Sequence, residues 1–321
     1  MIVVTGGAGF IGSNLVHGLN AFGRDDIVVV DNLENGRKFF NIRDADIAQY
    51  MDQDTFLDWL VENGDDAVEA VFHLGACSDT TEWDGRYMME NNYTFSKSAL
   101  DIAIAYGIPF IYASSAAVYG LDKDFTENIG KERPLNVYGY TKALFDRYVE
   151  KQLRVTESQI AGLRYFNVYG PGEAHKERMA SIAHHHYKQL RTGSNVKLFG
   201  GYDGYSAGEQ RRDFVHVDDV VRVNLWLLEH PEVNGVFNCG TGAAESFNEV
   251  ARAVIRHFGY GDVDYIPFPD DLRGAYQNYT QADLTALRAA GYTGTFMSVS
   301  EGVAEYMEWL DGSFSKHRVG D

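Results

Sequence analysis

The sequence predicts an α/β protein with a Rossmann-type, doubly wound parallel sheet and a second, smaller α/β substrate lobe. Three observations support this prediction. Short apolar runs alternate with amphipathic stretches, the first run stops in closely spaced glycines, and the second run ends in an acidic residue. Strands that alternate with helices imply right-handed crossovers, which place the strands parallel in one sheet.

The apolar runs have the length and continuity of buried parallel strands. They cover residues 1–4, 27–30, 70–73, 110–113 and 160–163. Amphipathic stretches that predict helices lie at residues 87–106, 142–153, 179–191, 217–229, 246–258 and 300–310. The alternation weakens after residue 167 and returns near residues 236–238, so we expect the chain to rejoin the first sheet there.

This pattern divides the chain into two parts. We predict a dinucleotide-binding Rossmann domain formed by residues 1–166 plus about 214–243. The substrate-binding lobe is predicted to comprise residues 167–213 plus about 244–321. The chain would therefore cross between the two parts more than once.

Composition and charge narrow the class of partner. The chain has 321 residues, with 28 Lys and Arg against 46 Asp and Glu, and a formal net charge of −18. This acidity argues against binding to nucleic acid or to an anionic membrane, since both require clustered cations. With two cysteines, no export signal and no apolar run near the roughly 20 residues of a membrane span, we expect a cytoplasmic protein.

The glycines after the first run indicate a dinucleotide site. Gly6, Gly9 and Gly12 stand at three-residue spacing between a predicted strand and a predicted helix, and Gly7 with Gly9 and Gly12 fits the other dinucleotide fingerprint. Glycine is required where the backbone must touch a pyrophosphate that the helix amides hold. Asp31 closes the second strand about 20 residues later, where a ribose-binding acid belongs.

The residues after Asp31 leave the cofactor open between NAD and NADP. A carboxylate alone favours a free ribose 2′-hydroxyl, because it repels a 2′-phosphate. Arg37 and Lys38 follow in the same loop, and either cation can neutralise a 2′-phosphate.

A serine and a tyrosine–lysine pair predict proton transfer. Tyr138 and Lys142 stand at i and i+4, on one face of a helix, and Ser115 ends the strand before them. Free tyrosine, with a pKa near 10, is a poor base at neutral pH. We expect the neighbouring ammonium to favour the phenolate, and the serine hydroxyl to hold a substrate alcohol beside it.

Other polar clusters have simpler interpretations. His184, His185 and His186 do not predict a metal site, because adjacent helical residues point about 100° apart and no spaced partner accompanies them. We therefore expect no metal. Arginine forks match phosphate oxygens, so three arginines are candidate diphosphate ligands: Arg211, Arg212 and Arg273.

Together these motifs resemble the extended short-chain dehydrogenase/reductases, and within them the sugar-nucleotide epimerases that act on ADP-heptose. The segments that carry this resemblance are residues 73–78, 80–85, 134–140, 164–171, 212–215, 276–277 and 280–284. The run Thr80-Thr81-Glu82-Trp83-Asp84-Gly85 distinguishes this group from other sugar-nucleotide epimerases. The resemblance implies an ADP-heptose substrate, epimerisation at C6″ for lipopolysaccharide core heptose synthesis, NADP rather than NAD, and a homo-oligomer, by resemblance a pentamer.

The resemblance also implies roles for individual residues. Tyr138 would be an acid/base, Lys142 would bind the nicotinamide ribose, Ser115 would orient the reacting hydroxyl, and Lys176 would be a second base. The implied cofactor contacts are Gly6, Gly9, Phe10, Ile11, Gly12, Asp31, Asn32, Lys38, Gln53, Leu74, Gly75, Ala76, Cys77, Ser78, Asn91, Lys142, Val168 and Lys176. The implied substrate contacts are Asn167, Arg178, His185, Phe199, Gly200, Gly201, Tyr202, Arg212 and Tyr276. Two of these depart from the family: Gln53 replaces a frequent lysine, and Arg178 replaces a serine that can contact the substrate.

Two other hypotheses remain open. A 4-epimerase or 4,6-dehydratase of another nucleotide sugar would share the fold, but a dehydratase needs an acid pair where Ala116 and Ala117 follow Ser115. A non-catalytic NAD(P)-sensing module would have no need for the serine, tyrosine and lysine that this chain retains.

Overall fold

In the part of the chain that the structure describes, the strands form one large parallel sheet and three small sheets. A computed structural model of the chain describes residues 1–65, 67–274 and 276–317, except for the side chains of residues 271 and 313–317. Residues 318–321, which end the predicted substrate lobe, lie outside this part. The strands are β1 (Ile2–Thr5), β2 (Ile27–Asp31), β3 (Gln49–Asp52), β4 (Ala70–His73), β5 (Phe110–Ser115), β6 (Ile160–Tyr165), β7 (Asn167–Tyr169), β8 (Val196–Phe199), β9 (Arg211–Arg212), β10 (Phe214–His216), β11 (Gly235–Cys239), β12 (Glu245–Ser246) and β13 (Val263–Ile266).

Within the described residues, seven strands form the central sheet in the order β11-β6-β5-β4-β1-β2-β3. All neighbouring pairs in this sheet are parallel. The side chains of β1, β2 and β4 are buried throughout, as expected for strands covered on both faces. The predicted Rossmann-type α/β fold is therefore confirmed.

Helices cover both faces of this sheet, and further helices belong to the rest of the chain. They are α1 (Phe10–Ala21), α2 (Phe39–Ile42), α3 (Gln53–Asn63), α4 (Gly85–Met88), α5 (Phe95–Ala105), α6 (Val137–Gln152), α7 (Ile182–Arg191), α8 (Val217–Glu229), α9 (Phe247–Phe258), α10 (Thr285–Ala289) and α11 (Val299–His317). Helices α1 and α8 pack on one face through residues such as Leu15 and Val220. Helices α3, α5 and α6 pack on the other through residues such as Phe56, Leu100 and Phe145.

The remaining elements build a second core at the carboxyl edge of the sheet. Strand pairs β7–β10 and β8–β13 are parallel, and β9–β12 is antiparallel. Helices α7, α9 and α11 enclose a separate apolar cluster that includes Tyr187, Val254 and Met307. After this excursion the chain returns to the central sheet, where β11 pairs with β6 at one edge.

Several boundaries differ from the sequence-based expectation because polar caps set them. Helix α6 begins at Val137 because the Asn136 side chain accepts a hydrogen bond from the Gly139 amide. Helix α7 begins after Ser181, whose hydroxyl accepts from the His184 amide. A six-residue π-helical segment, Met89–Thr94, joins α4 to α5 in the single helix expected at residues 87–106. Among the residues that the structure describes, every helix is too short or too polar to span a bilayer.

Buried histidines in the second core make the fold sensitive to acid. Burial lowers the pKa of His184 and of His216 to about 4, and that of His186 to about 3. A histidine in the unfolded chain has a pKa near 6.5, so the unfolded state binds more protons than the folded state between these values. The free energy of unfolding should therefore fall as the pH decreases below about 6.5.

We expect His186→Leu to weaken this pH dependence. His186 is fully buried, and its share of the loss between about pH 6.5 and 4.5 is about 2 to 3 kcal/mol. Urea titrations of the variant at several pH values should show a shallower decline in the free energy of unfolding. His185→Leu is the matched control, because this partly exposed neighbour lies on the same helix. An equal pH dependence in wild type and His186→Leu would contradict the expectation.

Candidate active site

A large cleft opens at the carboxyl ends of the central strands, between the sheet and the second core. Its volume is about 880 Å³. Every residue that the resemblance implies as a cofactor contact lines it, as do Ser115, Tyr138 and Asn167. The carboxyl ends of parallel strands meet at one edge, which is why residues far apart in the sequence come together here.

The glycine loop leaves no room for side chains. Gly6 has a φ of +65°, and a Cβ atom there would lie 2.7 Å from the Gly75 Cα. A Cβ at Gly12 would lie 2.1 Å from the Gly6 carbonyl oxygen. Helix α1 begins at Phe10 with no side-chain cap and no acidic residue in its first turn. The bare backbone and the free helix N-terminus fit the pyrophosphate of a dinucleotide.

The Asp31 carboxylate is fixed at the end of β2. It is buried and accepts hydrogen bonds from the Ala8 amide at 3.1 Å and from Lys38 Nζ at 2.8 Å. Lys38 lines the cleft, whereas the exposed Arg37 guanidinium points to Glu177 at 3.3 Å. Of the two cations that the sequence offered for a 2′-phosphate, the structure therefore places Lys38 at the cleft.

Ser115, Tyr138 and Lys142 come together where β5 ends beside α6. The Lys142 Nζ donates to the Ala113 carbonyl at 2.9 Å, and burial lowers the pKa of Lys142 to about 8. Burial raises the pKa of Tyr138, and its hydrogen bond with Ser115 opposes that rise. The direction is opposite to the one expected from the sequence, because desolvation of the phenol outweighs the hydrogen bond and the lysine ammonium is engaged by a backbone carbonyl.

A buried ionic network behind these residues was not predicted. Asp146 accepts hydrogen bonds from Tyr112 Oη, Ser114 Oγ and Arg164 Nε, each at 2.9 Å. Arg164 also donates to Glu132 at 2.8 Å. The network ties β5 and β6 to α6 and so fixes the strand of the serine against the helix of the tyrosine. Its one sequence signal is that Asp146 follows Lys142 by four residues, on the same helix face.

Lys176 reaches the same cleft from the second core. It lies in the 3₁₀ segment Ala174–Met179, with Nζ 5.5 Å from the centroid of the Phe10 ring. Burial lowers the pKa of Lys176, and the neighbouring Glu173 opposes that effect. A partly desolvated amine therefore faces the N-terminus of α1.

Several implied substrate residues form an aromatic cluster beside the cleft instead of lining it. Tyr202 stacks on Phe268 with ring centroids 4.2 Å apart, and the glycines Gly200 and Gly201 join Phe199 to Tyr202. The Phe199 ring lies 6.4 Å from the ring of Tyr276, which completes the cluster.

Arg212 connects this cluster to the cleft. Its guanidinium lies 4.9 Å from the Tyr276 ring centroid and 5.7 Å from that of Phe247, which lines the cleft. Arg212 is only 6% exposed. In the described part of the chain, no carboxylate lies within 4.0 Å of this cation. A buried cation without an acidic partner suits an anionic ligand.

The remaining candidates, Arg178 and His185, do not line the cleft, and both have protein partners. Arg178 Nη2 donates to Asp79 Oδ2 at 2.7 Å and to Thr81 Oγ1 at 2.6 Å. His185 Nε2 lies 3.3 Å from the Arg178 carbonyl oxygen. Direct substrate contacts by Arg178 and His185 stay predictions. Among the described residues, no group of three or more His, Cys, Asp or Glu side chains is arranged to hold a metal ion.

Comparison with known proteins agrees with this geometry. The chain is 58% identical over 309 residues to the ADP-L-glycero-D-manno-heptose-6-epimerase of Alkalilimnicola ehrlichii, covering 96% of this chain and 97% of that protein. The crystal structure of the Helicobacter pylori ADP-L-glycero-D-manno-heptose-6-epimerase matches with a TM-score of 0.83 and 31% identity, over 97% of this chain and 96% of that one.

A UDP-glucose 4-epimerase from Thermotoga maritima, in complex with UDP-glucose, matches with a TM-score of 0.80 and 29% identity, over 98% of this chain and 99% of that one. The sequence pattern of the NAD dependent epimerase/dehydratase family matches residues 2–240. These residues include the glycine loop, Asp31, Ser115, Tyr138 and Lys142. The chain therefore belongs to the NAD dependent epimerase/dehydratase family.

Proposed function

We propose that this enzyme inverts C6″ of ADP-D-glycero-D-manno-heptose to give ADP-L-glycero-D-manno-heptose, by transient oxidation and re-reduction with bound NADP. The observation that carries the proposal is the meeting of Ser115, Tyr138, Lys142 and Lys176 in one cleft. The similarity to the A. ehrlichii epimerase supports the choice of substrate.

The residues of the cleft fit a nicotinamide dinucleotide. The glycine loop and the N-terminus of α1 would hold its pyrophosphate, Asp31 and Lys38 would hold the adenosine ribose, and Lys142 would hold the nicotinamide ribose. When bound, this cofactor accepts a hydride from the carbinol carbon and returns it to the same carbon. No net oxidant or reductant is consumed, because the two hydride transfers cancel.

The side chains manage the proton that accompanies each hydride. During oxidation a base removes the proton of the C6″ hydroxyl, and during reduction an acid returns a proton to the same oxygen. Tyr138 Oη would carry out one of these transfers, and the Ser115 hydroxyl would orient the substrate oxygen. Inversion requires the sugar to reorient between the two hydride transfers, so the C6″ oxygen occupies a different position in each. Lys176 would supply the proton-transfer group for the second position.

The aromatic cluster is proposed to hold the ADP part of the substrate. Arg212 provides a buried positive charge for a diphosphate oxygen, and charge-assisted hydrogen bonds of this kind are the strong ones. Phe199, Tyr202 and Tyr276 offer ring surfaces for the base or ribose. The sugar would then enter the cleft that Phe247 and Tyr138 both line.

Two measurements test the proposal in sequence. Mass spectrometry of the nucleotide released from purified protein should find NADP. Incubation with ADP-D-glycero-D-manno-heptose should then yield an isomer of equal mass whose proton NMR signals show inversion at C6″. UDP-glucose serves as the comparison substrate. No inversion at C6″, or faster turnover of UDP-glucose, would favour the 4-epimerase hypothesis.

Lys38 is expected to determine the preference for NADP. In Lys38→Ala the Asp31 carboxylate loses its ionic partner and faces the 2′-phosphate alone, so NADP should bind about ten- to hundredfold more weakly, while NAD changes little. Fluorescence titration with both reduced cofactors measures the two dissociation constants. Arg43→Ala is the control, since its exposed side chain pairs with Asp44 and does not line the cleft. An equal loss for both cofactors would exclude the 2′-phosphate role of Lys38.

A further inference from the structure

The 3₁₀ segment Ala174–Met179, which carries Lys176, is attached to both sides of the glycine loop. On one side, Asn35 Nδ2 donates to the His175 carbonyl at 3.3 Å and Arg37 pairs with Glu177 at 3.3 Å. These two residues belong to the loop after β2.

On the other side, Arg178 provides the attachment. Its guanidinium donates to Asp79 Oδ2 at 2.7 Å and to Thr81 Oγ1 at 2.6 Å, in the loop after β4. Strands β2 and β4 flank β1 in the sheet. The segment therefore crosses the carboxyl end of β1, where the glycine loop lies.

The backbone within the segment needs these attachments. Glu177, between Lys176 and Arg178, has a φ of 48° and a ψ of −112°. Residues with a side chain rarely adopt this conformation, and they keep it only where surrounding contacts enforce it. The Glu177 side chain is bound by Arg37 on one side of the cleft. The following residue, Arg178, is bound by Asp79 on the opposite side.

We propose that Arg178 is a positioning residue whose bridge to Asp79 and Thr81 keeps the segment closed over the dinucleotide cleft and Lys176 facing into it. Arg178 itself touches no reacting atom. The part of the inference that concerns Lys176 rests on the proposed function, whereas the closure of the cleft does not. A serine, which the resemblance leads one to expect at this position, is too short to make both contacts.

Closure of this kind has a measurable effect on cofactor release. An enzyme that returns its hydride in every cycle has no need to exchange the dinucleotide, and a segment tied to both sides of the glycine loop slows its departure. The bridge is exposed, with 69% of the Arg178 side chain accessible, so salt should weaken it.

The experiment measures release of NADPH from the loaded enzyme, followed by its fluorescence after addition of excess NADP. The variants are Arg178→Ala, Asp79→Asn, which retains an oxygen for the Thr81 amide, and the double variant. We expect each single variant to release NADPH about three- to tenfold faster, and the double variant to be no faster than either single variant. About 0.5 M salt should accelerate release from the wild type more than from the double variant, which has lost the Arg178–Asp79 pair and keeps the Arg37–Glu177 pair.

Arg154→Ala is the matched control, because it removes an equally exposed ion pair with Glu150 at the far end of α6. Its release rate should equal that of the wild type. The proposed bridge would be wrong if Arg178→Ala and Asp79→Asn released NADPH at the wild-type rate. It would also be wrong if the double variant released NADPH faster than either single variant.

The kinetics of epimerisation distinguish two effects of the bridge, closure of the cleft and positioning of Lys176. In Arg178→Ala we expect kcat for epimerisation to fall about three- to tenfold with KM nearly constant, and Arg178→Lys to recover part of the loss. Faster release with an unchanged kcat would overturn the positioning of Lys176. If the wild type does not invert ADP-heptose, the proposed function fails, and the release rates alone still decide whether the bridge closes the cleft.

Discussion

Tyr138→Phe should lower epimerisation about 10²- to 10⁴-fold while the dinucleotide remains bound. The substitution removes the phenol hydroxyl that we propose exchanges a proton with the substrate oxygen. The ring remains and continues to fill the cleft wall. Because burial raises the pKa of this phenol, the free enzyme presents it protonated at neutral pH, so Tyr138 can donate the proton that the substrate oxygen takes up in the reduction step.

Single-turnover measurements with bound cofactor give the loss, and absorbance of the released nucleotide gives the occupancy. Tyr140→Phe is the matched control, since this side chain lies two residues away on the same helix and is 47% exposed. Near-normal epimerisation by Tyr138→Phe would remove the basis of the catalytic assignment.

Lys176→Met should lower the rate of epimerisation at least about 100-fold, while the affinities for cofactor and substrate stay within about tenfold of the wild type. Methionine has nearly the length of lysine and keeps the contact with the Phe10 ring, so the change is mainly loss of the amine. One fixed tyrosine need not reach the C6″ oxygen in both orientations of the sugar, and the amine approaches from the second core.

The values of kcat and KM for both sugar epimers test the role of Lys176. Lys188→Met on the exposed face of α7 is the control, because it removes a lysine that does not reach the cleft. A defect confined to KM would make Lys176 a binding residue, and a normal kcat would exclude it from proton transfer.

The fold and many of the residues that line the cleft could be predicted from the sequence, for a physical reason. Buried parallel strands are continuous apolar runs, and their carboxyl ends meet at one edge. Gly6, Asp31 and Ser115 each stand at or just after such an end, so their order along the chain predicts their meeting.

Other features depend on distant pairs that leave no local pattern. Arg178 and Asp79 are 99 residues apart and lie in irregular segments. Arg164 meets Glu132 and Asp146 only when β6 packs beside α6. The direction of the Tyr138 pKa shift was also beyond the sequence, since it depends on how far the folded chain removes the phenol from water.

The late position of strand β11 in the sequence delays completion of the central sheet during synthesis. Residues 1–165 supply six strands of the central sheet, and the outer side of β6 stays unpaired until Gly235–Cys239 arrives. During synthesis, a sheet edge next to apolar residues such as Leu163 is therefore open while some seventy further residues emerge. Open edges of this kind recruit other strands. A piece cut near residue 166 would carry that edge permanently, and a self-sufficient dinucleotide-binding fragment must extend at least to residue 239.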